Sequence, residues 1–225
     1  MADSASVRGV LADLKIDAAG LRGIGMVHLF RAEPDRLLPL WRRLRGAHER
    51  SGLWPLILGT DRDIEDLGRS FGRDLDHEVA RGLAMDVTAR LAELRAGATS
   101  WTDDGDAQEI PPRGETGGLR PHDEDAFVLA GKPGWIGLVT VSTGYVVPGM
   151  LTWPGAANYD IGPADHVAIL KYWHGEYGAE LVGLGLDTIE LWVPHPPVHA
   201  GTTCEQDWPA MPQLSWSAGE WLLPY

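Results

Sequence analysis

Between residues 24 and 193 the chain alternates short β-rich runs with stretches of helical hydrophobic period. Ile24-Gly-Met-Val-His-Leu-Phe30 has strand composition and is closed by Pro34-Asp35, which predicts a first strand. From Asp35 to Arg50, Leu37, Leu38, Trp41, Leu44 and Ala47 recur at helical spacing, with Asp35 as the cap and Ser51-Gly52 as the stop. Pro39 fits this helix because it lies near the first turn. Trp54-Pro-Leu-Ile-Leu58 is too short for a helix and ends at Gly59, so the chain opens as strand, helix, strand, a β-α-β beginning. Asp74 to Ala96 predicts the longest helix, with Leu75, Val79, Leu83, Val87, Leu91 and Leu94 on one stripe and Gly97 behind it.

The period is lost between Gly97 and Asp125, where Asp103, Asp104, Asp106, Glu109, Glu115, Asp123, Glu124 and Asp125 crowd among Gly and Pro, so an acidic loop is expected there. Trp135 to Val141 returns to strand composition, and Pro148 to Pro163 is expected to be a loop carrying Trp153, Asn158 and Tyr159. Pro163 to Tyr177 is a well-signalled helix: Pro163 suits the first helical position and Asp165 the electropositive first turn. Its inner stripe is Val167, Leu170, Trp173 and Tyr177, and Gly178 stops it. Glu180–Leu184 and Thr188–Val193 flank Asp187 as a hairpin. The prolines at 194, 196, 197, 209 and 212 leave little regular structure expected beyond.

These elements predict one α/β domain, mixed α+β being the neighbouring alternative, with a central mixed sheet and about three helices, two of them packed on it. Residues 1–23 form a variable lead, 24–193 the domain with its acidic loop at 97–125, and 194–225 a Pro/Trp-rich tail packed on the domain. At 44% apolar and 23% charged, the composition suffices for a sizeable core without staples. A lone Cys204 can form no internal disulfide, which suits a reducing compartment. No apolar run reaches a membrane span and the first residues lack a signal-peptide pattern, so a cytoplasmic protein is expected. The net charge of -13 repels phosphate backbones and anionic lipids. Nucleic acid and membrane are therefore not expected partners, and small molecules or basic proteins are.

His166-Val-Ala-Ile-Leu-Lys-Tyr-Trp-His174, Tyr177-Gly-Ala-Glu-Leu-Val182, Asp187-Thr-Ile-Glu-Leu191 and Pro196-Pro197 form a pattern of their own. It resembles the uncharacterised bacterial family filed as domain of unknown function 4253. The Leu-Pro-Leu-Trp41 helix, Gly52-Leu-Trp-Pro-Leu-Ile-Leu58 and a degenerate Trp-Gly-Gly-Trp-Asn element at Trp153 to Asn158 agree with it. The resemblance implies a compact α/β domain and brings no activity. After the Pro-Pro pair such chains continue with an alanine-rich helix, a Cys-Pro-Asp turn and a Trp-rich terminus. Here Val198 to Tyr225 holds Cys204-Glu-Gln-Asp and Trp208, Trp216 and Trp221 without that helix.

Several constellations bear on chemistry. His195, His199 and Cys204 are three nitrogen and sulfur donors within ten positions, but the intervening prolines deny them a helical presentation, so a surface loop is the favoured reading over a metal site. His166 and His174 stand eight residues apart, about 80° around one helix, and do not share an ion. Either could serve as a general base beside Asp187 or Glu190, against the plainer reading of a helix histidine bound to a carbonyl. Asp103-Asp-Gly-Asp106 with Glu109 lacks the spacing of a calcium loop. Arg42, Arg43, Arg45 and Arg50 make a basic flank that reads as a solvated face.

Nucleotide-binding, serine-hydrolase and metalloprotease motifs are missing, and no cofactor is predicted. Ten tryptophans, six beyond position 150, could build a core or line a groove; Trp173 and Trp192 are the foremost core candidates, and Trp153, Asn158 and Tyr159 the ligand or partner candidates. Two functions stay open. The first is a non-catalytic, immunity-like or accessory domain that binds a basic protein through an acidic surface. The second is a small-molecule enzyme whose Trp/His-lined cleft lies between the Trp153–Tyr159 loop and the His166 helix.

Overall fold

The computed structural model of the chain describes residues 3–70, 75–100, 127–155, 161–186, 188–194, 215–217 and 220–224. The strands are β1 (Arg22–Ile24), β2 (Val27–Ala32), β3 (Leu53–Ile57), β4 (Gly134–Thr140), β5 (Glu180–Leu184), β6 (Thr188–Trp192), β7 (Ser215–Ser217) and β8 (Glu220–Pro224). The helices are α1 (Ser4–Asp13), α2 (Pro34–Gly46), α3 (His48–Ser51), α4 (Asp61–Ser70), α5 (Leu75–Ala84), α6 (Val87–Ser100), α7 (Val147–Met150) and α8 (Pro163–Tyr177). Two 3-10 turns cover Leu129–Gly131 and Gly144–Val146.

One mixed sheet runs in the order β1-β2-β4-β3-β5-β6-β8-β7. β4 is antiparallel to both β2 and β3, which are therefore parallel to each other with β4 between them. The predicted β-α-β beginning is thus a split unit. β3 meets β5 in parallel at the register pair Ile57↔Gly183, and β5, β6, β8 and β7 continue antiparallel.

Strand alternation sends successive side chains to opposite faces, and both faces are covered. Leu29, Trp54, Leu56, Leu58, Trp135, Leu181, Ile189 and Leu191 join a core under α4, α6, α7 and α8 that includes Ile64, Leu67, Leu151, Ile169 and Trp173. Phe30, Leu53, Ile57, Ile136, Leu138 and Val182 join a second core under α1 and α2, with Val7, Leu11, Leu37, Trp41 and Leu44. The result is a three-layer arrangement. Among the described residues no helix is long and apolar enough to cross a membrane.

The structure corrects several boundaries. The first predicted strand divides at Gly25-Met26 into the β1–β2 hairpin. α2 begins at Pro34 rather than at a capping Asp35; Glu33 takes the cap position without a side-chain bond, and Pro34 suits N1, where its missing N–H leaves no donor unpaired. The long helix expected from Asp74 to Ala96 breaks at Met85-Asp86, where the Asp86 carboxylate accepts from the Ala89 N–H at 3.1 Å and starts α6. Leu83 of the expected stripe is consequently exposed. α4 escaped prediction because its segment is rich in Asp and Arg; Thr60 N–H and Oγ1 both donate to Asp63 at 2.7 Å and fix its start. The helices therefore exceed the expected three, and the tail beyond Val193, expected to be irregular, contributes β7 and β8. Of the acidic loop expected at 97–125, residues 97–100 belong instead to α6, which runs past Gly97 to Ser100, and the rest lies outside the described residues.

Pro163–Tyr177 forms as predicted and ends at Gly178, whose φ of 67° is the left-handed conformation glycine adopts without penalty. α5 packs on α8 through Gly82: a Cβ there would stand 2.5 Å from the Ala164 carbonyl oxygen and 2.6 Å from Val167 Cβ. Because the obstacle is backbone, Gly82→Ala should lower stability by about 1–3 kcal/mol despite alanine's better helix propensity. Gly46→Ala, with open space around its Cβ, should instead raise it by up to about 1 kcal/mol. Urea unfolding of both variants checks this, and equal effects would refute the close α5–α8 approach.

Candidate functional site

The ionisable groups drawn deepest into the fold are on opposite faces of the sheet. On the α8 face, the helix start is tied down by acids and arginines. Asp165 Oδ2 accepts from the Gly162 N–H at 2.7 Å, and Asp165 Oδ1 accepts from Arg90 Nε on α6 at 2.7 Å. Arg90 also reaches Glu93 at 3.2 Å, and Glu78 on α5 accepts from the Ala164 N–H at 3.1 Å while pairing with Arg81 at 3.0 Å. The hydrogen bond to Asp165 raises the Arg90 pKa further above its ordinary value. Three helices are thereby joined at one helix N-terminus.

His166 follows Asp165 and is buried, its ring 4.7 Å from that of Trp153. Burial disfavours the imidazolium and brings its pKa down to about 3, against the opposing pull of Asp165. The imidazole is neutral at ordinary pH. Trp153 is itself fully buried, and its indole N–H donates to the Gly185 carbonyl at 2.8 Å. His174 is two turns away at the exposed end of α8, where Nδ1 donates to the Ala179 carbonyl at 3.0 Å beside Tyr145.

Glu190 lies on the other face. Ile189 and Leu191 point to the α8-side core, so Glu190 between them points the opposite way, toward Leu129. Its side chain is buried, and Oε1 accepts from the Leu129 N–H at 2.8 Å. Oε2 has no hydrogen-bond partner among the described residues. Burial raises its pKa to about 7, overcoming the opposing effect of the Leu129 and Val128 N–H groups.

The sheet thus separates Glu190 from His166 and Trp153. Asp187, Asn158, Tyr159, His195, His199 and Cys204 lie outside the described residues, as do Asp103, Asp104, Asp106 and Glu109. Among the described residues, no three metal-ligating side chains gather. Of the arginine flank, Arg45 binds Glu180 with two nitrogens and stacks 4.5 Å over Trp54, while Arg42 stands 5.6 Å over half-buried Trp192. Trp173 is in the core.

Sequence reasoning passed over His48, which is buried at the edge of Trp54, 5.0 Å between centroids, with Nε2 donating to the Ser142 carbonyl at 3.0 Å. Helical spacing could not reveal it because α2 ends at Gly46 and α3 restarts at His48. The Asp165–Arg90 pair also went unseen, although the placement of Asp165 in a first helical turn was its signal.

Residues 135–208 match a family model, Domain of unknown function (DUF4253). The match takes in β4 through β6, and with them Trp153, His166, His174 and Glu190. No curated protein and no solved structure matches the chain.

The two buried groups act on stability with opposite signs. An unfolded histidine takes up its proton near 6.5 and folded His166 only near 3, so its stabilisation is present above about pH 6.5 and is lost as pH falls toward 3. Glu190 keeps its proton up to about 7 whereas the unfolded carboxyl loses it near 4.5, so its stabilisation is present at low pH and is lost as pH rises through 7. In His166→Gln the decline on the acid side should become shallower, alongside a loss of about 1–3 kcal/mol at neutral pH from disturbed packing on Trp153. Urea unfolding at stepped pH measures both, and an unchanged acid slope would contradict a neutral buried imidazole.

Proposed function

We propose that this chain is a non-catalytic cytoplasmic binding domain, of an immunity-like or accessory kind, that receives a basic protein on an acidic surface. One observation carries the reading. Asp165 and Glu190 are the buried acids among the described residues, and both are engaged by backbone N–H groups of the fold. The other acids whose exposure is described are at least partly open to water, and the full sequence carries 32 Asp and Glu against 19 Lys and Arg, a net negative charge. Such a field steers an oppositely charged protein over distances of about a Debye length and is screened by salt. It repels phosphate backbones and anionic bilayers, and the reading calls for no cofactor.

The alternative, a small-molecule enzyme using acid-base catalysis, is favoured by the contact between Trp153 and His166. Both side chains are sealed, however, and His166 is held neutral. A substrate would have to displace core residues to reach them.

Native mass spectrometry of the untagged chain drawn from its own host at low salt should show a stoichiometric basic protein. Affinity for the purified partner should then weaken at least tenfold between roughly 50 and 500 mM salt. Affinity independent of salt would overturn the electrostatic reading. A bound metabolite in place of a protein, lost on His166→Gln, would favour the enzyme.

A further inference from the structure

At the carboxyl ends of β3 and β5, Leu129 fills a slot framed by glycines. A Cβ built on Gly59, Gly183 or Gly185 would come within 3.3, 2.9 or 3.2 Å of a Leu129 methyl carbon, so side chains at these positions would crowd it. A Cβ on Gly183 would also stand 2.6 Å from Glu190 Oε2, which places the carboxyl at the floor of the same slot. The Leu129 N–H donates to the other carboxyl oxygen. The turn that carries this plug is partly at the surface: Val128 is 58% exposed and Gly131 and Lys132 are exposed, while Phe127 and Ala130 anchor it in the core.

We propose that the Leu129 turn is a pH-sensitive latch, seated in the slot while the Glu190 carboxyl is neutral and released when it ionises. The cause is hydration. A carboxylate sealed among apolar groups recovers its lost water by displacing what covers it, and Leu129, which lies against the carboxyl on a turn with exposed residues, is the part of that cover able to move. The raised pKa of Glu190, near 7, puts the change close to neutrality.

Other charges do not account for the effect. Across Leu129, Asp63 lies against Gly59 and is engaged by Thr60. Along β6 the next residues on the same face are Thr188 and Trp192, the latter under Arg42. On β5, Glu180 opposite Trp192 is neutralised by Arg45, and on β8 the register partner of Glu190 is Leu222. The causes of the Glu190 shift are burial and two backbone N–H groups, with no charged neighbour among them. Release uncovers the glycine backbone at the carboxyl ends of parallel strands, the edge at which open α/β sheets take up ligands.

Amide hydrogen exchange on the full chain, corrected for intrinsic rates, tests the latch. From pH 5 to pH 8 the opening constant at Leu129 should rise by roughly one to two orders of magnitude. The opening should be insensitive to low urea, while the Ile136 and Leu138 amides of β4 exchange through urea-sensitive unfolding. Glu190→Gln should flatten the pH dependence at Leu129. Leu129→Ala, which keeps the N–H but uncovers the carboxyl, should open more at pH 5 and show a shallower pH dependence than the wild type. Leu129 exchange that tracks β4 in urea, a flat wild-type profile, or a wild-type slope in Glu190→Gln would each overturn the proposal.

Discussion

The seam between β3 and β5 is the constraint on which the rest of the structure depends. Two antiparallel halves of the sheet meet there, and among the described residues the strands share one parallel register pair, Ile57↔Gly183. Pro55 in β3 has no N–H to give. Trp54 supplies the missing donor: its indole N–H reaches across to the Leu181 carbonyl at 3.0 Å, and Arg45 stacks on its ring while binding Glu180 of β5. Trp41 of α2 donates to the Pro55 carbonyl at 3.0 Å and ties the second layer to the same strand. Gly144 completes the arrangement, since a Cβ there would fall 2.2 Å from the Trp54 ring.

Seen this way, several tryptophans act as donors that fasten one element to another. Trp41, Trp54 and Trp153 each give an indole N–H to a backbone carbonyl, and Trp135 gives its own to Asp61 at 2.8 Å. Each of the four is also buried, so it combines a large apolar area with a bond that a phenylalanine could not make. These four aromatic residues are buried and bonded within the scaffold. Trp192, half-buried under Arg42, stays at the margin.

The parts of the fold legible in the sequence were those in which local period and burial coincide. α8 announces itself through Pro163, Asp165 and Gly178, and β5 and β6 through their composition, because one face or both faces of each are buried. The breaks at Ala47 and Asp86 were not legible, since hydrophobic spacing continues across them and what decides is the turn at Ala47, where the N–H bonds back to the Leu44 carbonyl, and the cap at Asp86. Glu190 could be picked out as an ionisable residue in a strand, yet its setting depends on Leu129, 61 residues earlier, and no local pattern encodes that pairing. His48 is hidden for the same reason: Ser142, its partner, is 94 residues away.

The strand order also governs how the molecule is made. β2 and β3 are synthesised early and are not neighbours; each pairs with β4, which lies between them and ends at Thr140. At roughly 5–20 residues per second, the ribosome leaves both strands without their common partner for several seconds while α4 to α6 emerge. During that time the edges of two apolar strands are open to other chains, and helices of local contacts are what the nascent segment can form. A chaperone that shields residues 27–57 until Gly134–Thr140 arrives would act at the step where this topology is most exposed to misassembly.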